Sequence, residues 1–479
     1  MSELPDQIPP PPDADAGRRN AMKAMAGFTA GASIYAGFAA SSARGGTGSF
    51  PFESHAARPV VVTDFPSVAA ALATMPNGGD LFFPASGSPY QMSATVVDRP
   101  GIRFIGEGAG DERPLLKWNS LGTSVQGLNV TAPGFSLFNL RLEGPAGGVY
   151  VPGENLVQVQ GNSAASPFQG LHIENCDFKN VGARGLHAQF VNYIRVVGCR
   201  FEDIGNAGAM FMSCDWGWFE HNTVQCIKPG TTPNPDTTNA YGVSLTHEST
   251  GWPGAENQHP FCRNWWITGN YIDDIPWEGI DGHGGWNVHI SDNIVRNTKL
   301  GISSAQSSGD ASAYAGGPCW VTGNYVHCEF ASPNKLRGYG VNVSGGTTRW
   351  SLGAYVYNNH FFLKGRAPNG GFPVIYIGSC VDTRVENNYF DEIGDNAIAL
   401  RAATGRVRIT GNSFGQKSTE DQNAGNPVYG ADLNHSSDRI FHITENISFG
   451  DTRPLNGIIN ASGEAVHSSG NYTTTSPSS

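Results

Sequence analysis

A six-residue phrase of the form apolar-x-x-(Asn or Cys)-x-apolar recurs along the chain and restricts it more than any other feature. It reads IENCDF at Ile173–Phe178, VVGCRF at Val196–Phe201, FEHNTV at Phe219–Val224 and ITGNYI at Ile267–Ile272. It continues as ISDNIV from Ile290, VTGNYV from Val321, VYNNHF from Val356, VENNYF from Val385, ITGNSF from Ile409 and ITENIS from Ile443. The fourth position therefore runs Cys176, Cys199, Asn222, Asn270, Asn293, Asn324, Asn359, Asn388, Asn412, Asn446. The shortest steps are 23 residues, as from Cys176 to Cys199 and from Asn270 to Asn293 (199 − 176 and 293 − 270). Longer steps hold Gly- and Pro-rich insertions.

A second strand recurs in the same coils, usually opening on glycine: Gly185-Leu186-His187, Gly242-Val243-Ser244, Gly279-Ile280-Asp281, Gly301-Ile302-Ser303 and Gly340-Val341-Asn342. Two strand signals in constant phase, repeating every twenty-odd residues, predict one coil of a parallel β-helix per repeat. The asparagines have a physical reason within such a coil. An inward amide at a sharp corner can bond to the same amide one rung away, about 4.8 Å along the axis, and so satisfy groups that would be buried unpaired. Cys176 and Cys199 fit that slot as small apolar side chains.

Composition agrees. Charged residues are 15% of the chain, below the ordinary quarter, while glycine numbers 62 and aromatics are 10%. The net charge of −11, from 30 basic and 41 acidic residues, lacks the positive field that nucleic acid requires. Neutral or modestly charged glycans stay open as partners.

Residues 1–45 stand apart. Arg18-Arg19 and Lys23 precede a run of small apolar residues from Ala24 to Ala40, followed by small-residue cleavage options at Phe38-Ala39-Ala40 or Ser41-Ser42-Ala43. This resembles a twin-arginine export signal, although the residue two after the second arginine is Ala21 rather than a large apolar one. The run is too short and glycine-rich for a membrane span, so the expectation is a periplasmic or secreted protein with no membrane segment once the signal is removed. Residues 46–461 read as one β-helix domain, with a cap and first coils at 58–110, an insertion at 227–262 and a loose tail at 462–479. None of the eight cysteines has zinc-ligand spacing. Buried thiols are expected, with Cys226–Cys262 and Cys319–Cys328 the pairs a disulfide could join.

Asp64-Phe65-Pro66-Ser67 leads into an alanine-rich helix at Val68–Met75, then Gly78-Gly79-Asp80 and Pro100-Gly101-Ile102-Arg103-Phe104-Ile105-Gly106. With the repeats, this resembles the right-handed parallel β-helix of the pectate-lyase-like superfamily across residues 58 to 460. That superfamily includes polysaccharide lyases, glycosidases, uronan epimerases and phage tailspikes. The resemblance implies an all-β solenoid with a helical cap, a polysaccharide substrate, and, from the tailspikes, leaves a side-by-side homotrimer open.

Alternation along a strand sorts the candidate site. With Ile280 and Gly282 inward, Asp281 and His283 face outward together, in line with His187/Gln189, Ser244/Thr246, Ser303/Ala305 and Asn342/Ser344 on other coils. The segment Trp277-Glu278-Gly279-Ile280-Asp281-Gly282-His283 resembles the Tyr-Gly-Phe-Asp-Pro-His-Glu strand of alginate-type C5-epimerases, whose Asp and His also stand two apart. Glu278, Gly282 and Gly284 depart from that strand, which leaves the proton-return partner open. The polygalacturonase phrase Asn-Thr-Asp-Gly-Ile-Asp matches Glu278-Gly279-Ile280-Asp281 in form, but Lys299-Leu300-Gly301-Ile302 follows where paired aspartates are needed.

Proton abstraction beside a uronate carboxylate needs a base of near-neutral pKa, for which His283 is suited, and a group that neutralises the carboxylate. Asp281 could orient the imidazole; Glu278 and His247 stand next in line, with Glu248 and His259 in the insertion. Arg263, Lys299 and Arg401 are the candidate cations, and Thr246 and Asn342 line the expected groove. Trp252, Trp265, Trp266, Trp277 and Trp286 could stack on sugar rings or anchor the insertion. Asp273-Asp274 and Asp391-Glu392 could hold Ca2+, but without Ca-loop spacing an exposed acidic turn is the simpler reading, and no metal site is assigned. The expectation is a uronan lyase or C5-epimerase-like enzyme. The rivals are a glycoside hydrolase using Glu278 and Asp281, a non-catalytic glycan-binding β-helix, and, for Asp281–His283 alone, a solvated pair that braces a turn.

Overall fold

The computed structural model describes residues 58–145, 150–229, 239–247, 262–283, 285–305, 316–329, 339–345, 351–364, 373–393, 397–401, 406–415, 428–431, 440–449, 466–469 and 472–474. The two contact-defined units are residues 1–50 and 51–479, and everything below concerns the second. The export signal expected at 1–45 lies outside the described residues.

Among the described residues every named strand pairs in parallel. One face is a 15-stranded ladder running from Val60–Val61 to Val466–Ser469. The other strands form two further ladders that run together where Tyr271–Asp281 and Ile294–Ala305 cross a corner without a break. The chain therefore winds as a parallel β-helix around one apolar core. Inside, like stacks on like: Phe178 lies flat on Phe201 at 4.7 Å between ring centroids, and Phe361 stacks on Phe390 at 5.2 Å. Each fully buried ring of this size contributes about 2–3 kcal/mol.

The predicted amide ladder is present. Nδ2 of Asn270 donates to Oδ1 of Asn293 at 2.9 Å, Asn293 to Asn324 at 2.9 Å, Asn324 to Asn359 at 3.0 Å, and the chain of bonds continues through Asn388 and Asn412 to Asn446. Each amide oxygen also accepts a backbone N–H, as Asn293 Oδ1 does from Asn270 at 2.9 Å. Before each rung residue the backbone takes positive φ, 67° at Gly269, 56° at Asp292, 69° at Gly323 and 55° at Asn358. Gly, Asn and Asp enter that region at least cost, which explains the third letter of the phrase in all but two coils, where His221 and Glu445 take positive φ as well.

At the N-terminal end a short helix, Val68–Ala73, turns Val68, Ala71 and Leu72 into the core. Ser67 Oγ caps it by accepting the Ala70 N–H at 3.1 Å, and Arg99 donates to the Leu72 carbonyl at 3.0 Å. No helix among the described residues is long and apolar enough to cross a membrane.

Of three expectations, that of a loose tail is corrected, while the strand read at Gly242-Val243-Ser244 and the reading of the cysteines as thiols agree with the structure. The tail from 462 is not loose throughout: Val466–Ser469 and Tyr472–Thr474 add another rung by pairing with Phe441–Thr444 and Ile447–Phe449. The signal was present as Gly470-Asn471-Tyr472, hidden because Ser468 and Thr473 stand where the phrase has its two apolar residues. The insertion at 227–262 contains a ladder strand, Tyr241–Thr246. Cys226, Cys262 and Cys319 are free thiols; Cys262 Sγ instead accepts the Cys214 N–H at 3.4 Å and donates to the Phe211 carbonyl at 3.3 Å.

Candidate active site

The outward positions of the glycine-opened strand line up as three columns. One runs Asn155, Arg184, Ala207, Tyr241, Glu278, Leu300; the next runs Gln158, His187, Met210, Ser244, Asp281, Ser303, Asn342. The third runs Gln160, Gln189, Met212, Thr246. Glycine is needed behind this face because the coils approach closely. A Cβ on Gly242 would lie 2.3 Å from the Gly279 carbonyl oxygen, and one on Gly279 would lie 2.7 Å from a Val295 methyl.

Glu278, Asp281 and His283 come together here, each offering one ligand-type atom, all within 4.8 Å of one another. A register irregularity between Ile275 and Glu278 brings Glu278 onto the same rung as Asp281, facing Leu300 rather than continuing the strand's earlier phase. Asp281 accepts from Ser244 Oγ at 2.7 Å on Oδ2 and from the His283 backbone N–H at 3.1 Å on Oδ1. The same Oδ2 meets His283 Nδ1. A carboxylate only accepts, so this contact places the ring proton on Nδ1 and leaves Nε2 to act as base. The strand ends at Asp281, and His283 sits at φ 28°, a strained turn conformation held by its neighbour's side chain.

The three differ in access. Asp281 is 1% exposed and Glu278 6%, while the His283 side chain is 24% exposed. Asp281 faces outward as expected, but it is not solvated. Burial, and then the negative charge of Asp281, raise Glu278 to about 8, against opposing contributions from His283, Ser303 and Trp277. One of its oxygens, Oε2, is buried without a hydrogen-bond partner. Tyr241 completes the wall edge-on to His283 at 6.1 Å; burial and the two carboxylates raise its phenol.

The other expected residues divide. Lys299 Nζ lies 4.2 Å from the Trp277 ring centroid, beside Glu278. Thr246 is on the same face one rung back, Asn342 two rungs ahead with Oδ1 buried and unpartnered. His247 is buried directly after that rung's strand. Arg263 and Trp286 belong instead to the adjacent ladder, paired with each other across the register; Gly317 packs on the Trp286 ring. Arg401 is in line with Gly378, four rungs from Asp281. Trp252, Glu248 and His259 lie outside the described residues.

Two tryptophans are corrected as sugar platforms. Trp265 is wholly buried, its Nε1 donating to the Cys214 carbonyl at 3.2 Å. Trp266 is held in a stack on that adjacent ladder, between Trp218 at 5.2 Å and His289 at 5.4 Å, continued by Trp320 at 4.3 Å from His289. Rings stacked along the axis cover one another's faces. Burial in that stack lowers His289 to about 4.

For metal, the Glu278–Asp281–His283 group has hard-oxygen and imidazole donors, but the imidazole nitrogen nearest the carboxylates is engaged by Asp281. The acidic turns fit Ca2+ less well: Asp273 accepts from Tyr271 at 2.9 Å and Asn297 at 2.8 Å. The side chain of Glu392 lies outside the described residues.

Comparison with known proteins fixes the architecture. The family model of the right-handed β-helix region matches residues 126–361. The catalytic unit of a thermostable GH87 α-1,3-glucanase from Streptomyces thermodiastaticus superposes with a TM-score of 0.50 at 13% identity, covering 88% of this chain and 70% of that one. A variant GH87 α-1,3-glucanase catalytic domain in complex with nigerose gives 0.53 at 13% identity, over 80% and 70%. The A-module of a mannuronan C-5 epimerase from Azotobacter vinelandii gives 0.45 at 13% identity, over 81% and 98%. No curated protein matches in sequence. The fold is a right-handed parallel β-helix.

Proposed function

We propose that the chain is a polysaccharide-acting enzyme of the lyase or C5-epimerase type, with His283 as the base that removes the C5 proton of a uronate. The observation that carries this reading is the Asp281–His283 pair beside a buried Glu278, with one ligand-type atom of each within 4.8 Å of the others. Nε2 of His283 takes the proton, and Asp281 holds the ring and stabilises the imidazolium that forms. Glu278, with its pKa raised to about 8, keeps a proton at neutral pH and donates it in a hydrogen bond to the substrate carboxylate as charge builds on it. The resulting enediolate then either expels the 4-O-linked sugar, whose oxygen takes the proton carried by the His283 imidazolium, leaving an unsaturated end, or takes a proton from water at C5 on the other side while His283 gives its own proton back to solvent.

The paired carboxylates also suit a hydrolase, and solved neighbours on this fold are α-1,3-glucanases. Against that alternative, both oxygens of Asp281 already accept hydrogen bonds and its side chain is buried, which makes it a poor nucleophile or direct base. The deciding experiment incubates the full chain with a panel of uronans and neutral glucans. Unsaturated ends read by absorbance support the lyase form, and C5 proton exchange alone supports the epimerase form. Reducing ends without unsaturation, or binding without turnover, would reject the proposal in favour of hydrolysis or of a glycan-binding surface.

A further inference from the structure

The face that carries Asp281 changes character toward the N-terminal end of the helix. One rung back, Tyr241 packs with Ala207 and Met210 in a small apolar cluster separate from the core, with Met212 and Trp277 against it. Beyond that shelf the face turns polar again at Arg184 and His187, three steps from the Glu278 rung through Tyr241 and Ala207, and at Asn155 one step further. Three steps of this ladder span about 14 Å.

Two polar atoms there are buried without partners: Asn155 Oδ1 and His187 Nδ1. Their residues are 1% and 7% exposed, so each orphan carries the cost of desolvation unless something from outside meets it. The positive charge of Arg184 reaches both His187 and Tyr241, and burial, more than that charge, keeps His187 neutral. The group thus offers a guanidinium fork, a neutral imidazole and an amide oxygen, the complement of one carboxylate and neighbouring hydroxyls.

We infer that Arg184, His187 and Asn155 form a second subsite, which holds the carboxylate and hydroxyls of another uronate unit of the same polymer. The apolar shelf of Tyr241 and Met210 supports the sugars between the two sites. This rests on the reading of the substrate as a uronan, and it adds direction: the chain lies along the helix axis, extending from His283 toward the N-terminal coils.

The test is calorimetry on the full chain carrying His283→Asn, with uronate oligomers of increasing length and their carboxyl-reduced counterparts. Affinity should step up once an oligomer spans both sites, and Arg184→Gln should remove that step, about tenfold or more, while short oligomers bind as before. Arg184→Lys, which keeps charge without the fork, should recover part of the step. Carboxyl-reduced oligomers should show none. An unchanged step in Arg184→Gln overturns the proposal, as does an equal loss at every length or failure of uronate oligomers to bind at all. An Arg184-dependent step without turnover by the unmodified protein would keep the subsite and reject the reaction; turnover without the step would do the reverse.

Discussion

Asp281 grips His283 twice, accepting the backbone N–H at 3.1 Å on one oxygen and the ring Nδ1 on the other. The two residues are separated only by Gly282, so the carboxylate fixes both the turn and the imbalance between the two ring nitrogens. A residue braced in a φ of 28° is costly to hold, and such strain gathers where a side chain must be aimed. The pair can be tested one member at a time.

Replacing His283 with Asn keeps a side chain that tolerates the left-handed backbone while removing the base. Turnover should fall about 10²–10⁴-fold, with the melting temperature nearly unchanged. Steady-state kinetics and calorimetric melting check this; retained turnover would remove His283 from the mechanism.

Asp281→Asn should spare substrate binding and lower kcat by at least about 10²-fold, because the amide can present N–H to Nδ1 and stabilise the wrong tautomer. A fall in kcat with KM held marks a positioning role. A rise in KM alone would indicate that Asp281 contacts substrate instead.

Glu278 predicts a pH dependence. Its folded pKa of about 8 lies above the 4.5 of an exposed glutamate, so between these values the folded state keeps a proton that the unfolded state has lost. Stability contributed by the protonated form is full below about 4.5 and declines as pH rises toward 8. Glu278→Gln should flatten that decline in denaturant titrations across this window, and kcat of the unmodified protein should fall as pH passes about 8. Parallel pH-stability curves for the two proteins would refute the assignment.

The amide ladder predicts a local injury. Asn293→Ala deletes the acceptor of the Asn270 N–H and Nδ2 and the donor to Ile267 and Asn324. Leaving these buried groups unpaired should cost about 3 kcal/mol or more. Because each coil leans only on its neighbours, hydrogen exchange should accelerate chiefly around residues 262–329. A uniform acceleration along the helix would contradict this.

The sequence by itself determined the coil. A turn that requires positive φ selects Gly, Asn or Asp; an inward corner next to it selects an amide; both requirements are local and repeat with the chain, so Gly269-Asn270 and Gly323-Asn324 could be read without coordinates. It also placed Asp281 and His283 on one face, since strand alternation is local too. Only the tertiary structure decided the rest. Whether Arg263, Arg401 or Arg184 shares a face with His283 depends on pairing across insertions of unequal length, and it excluded the first, moved the second four rungs away and brought in the third. The raised pKa of Glu278 is likewise a property of burial beside Asp281, and desolvation belongs to the assembled rungs rather than to any stretch of sequence.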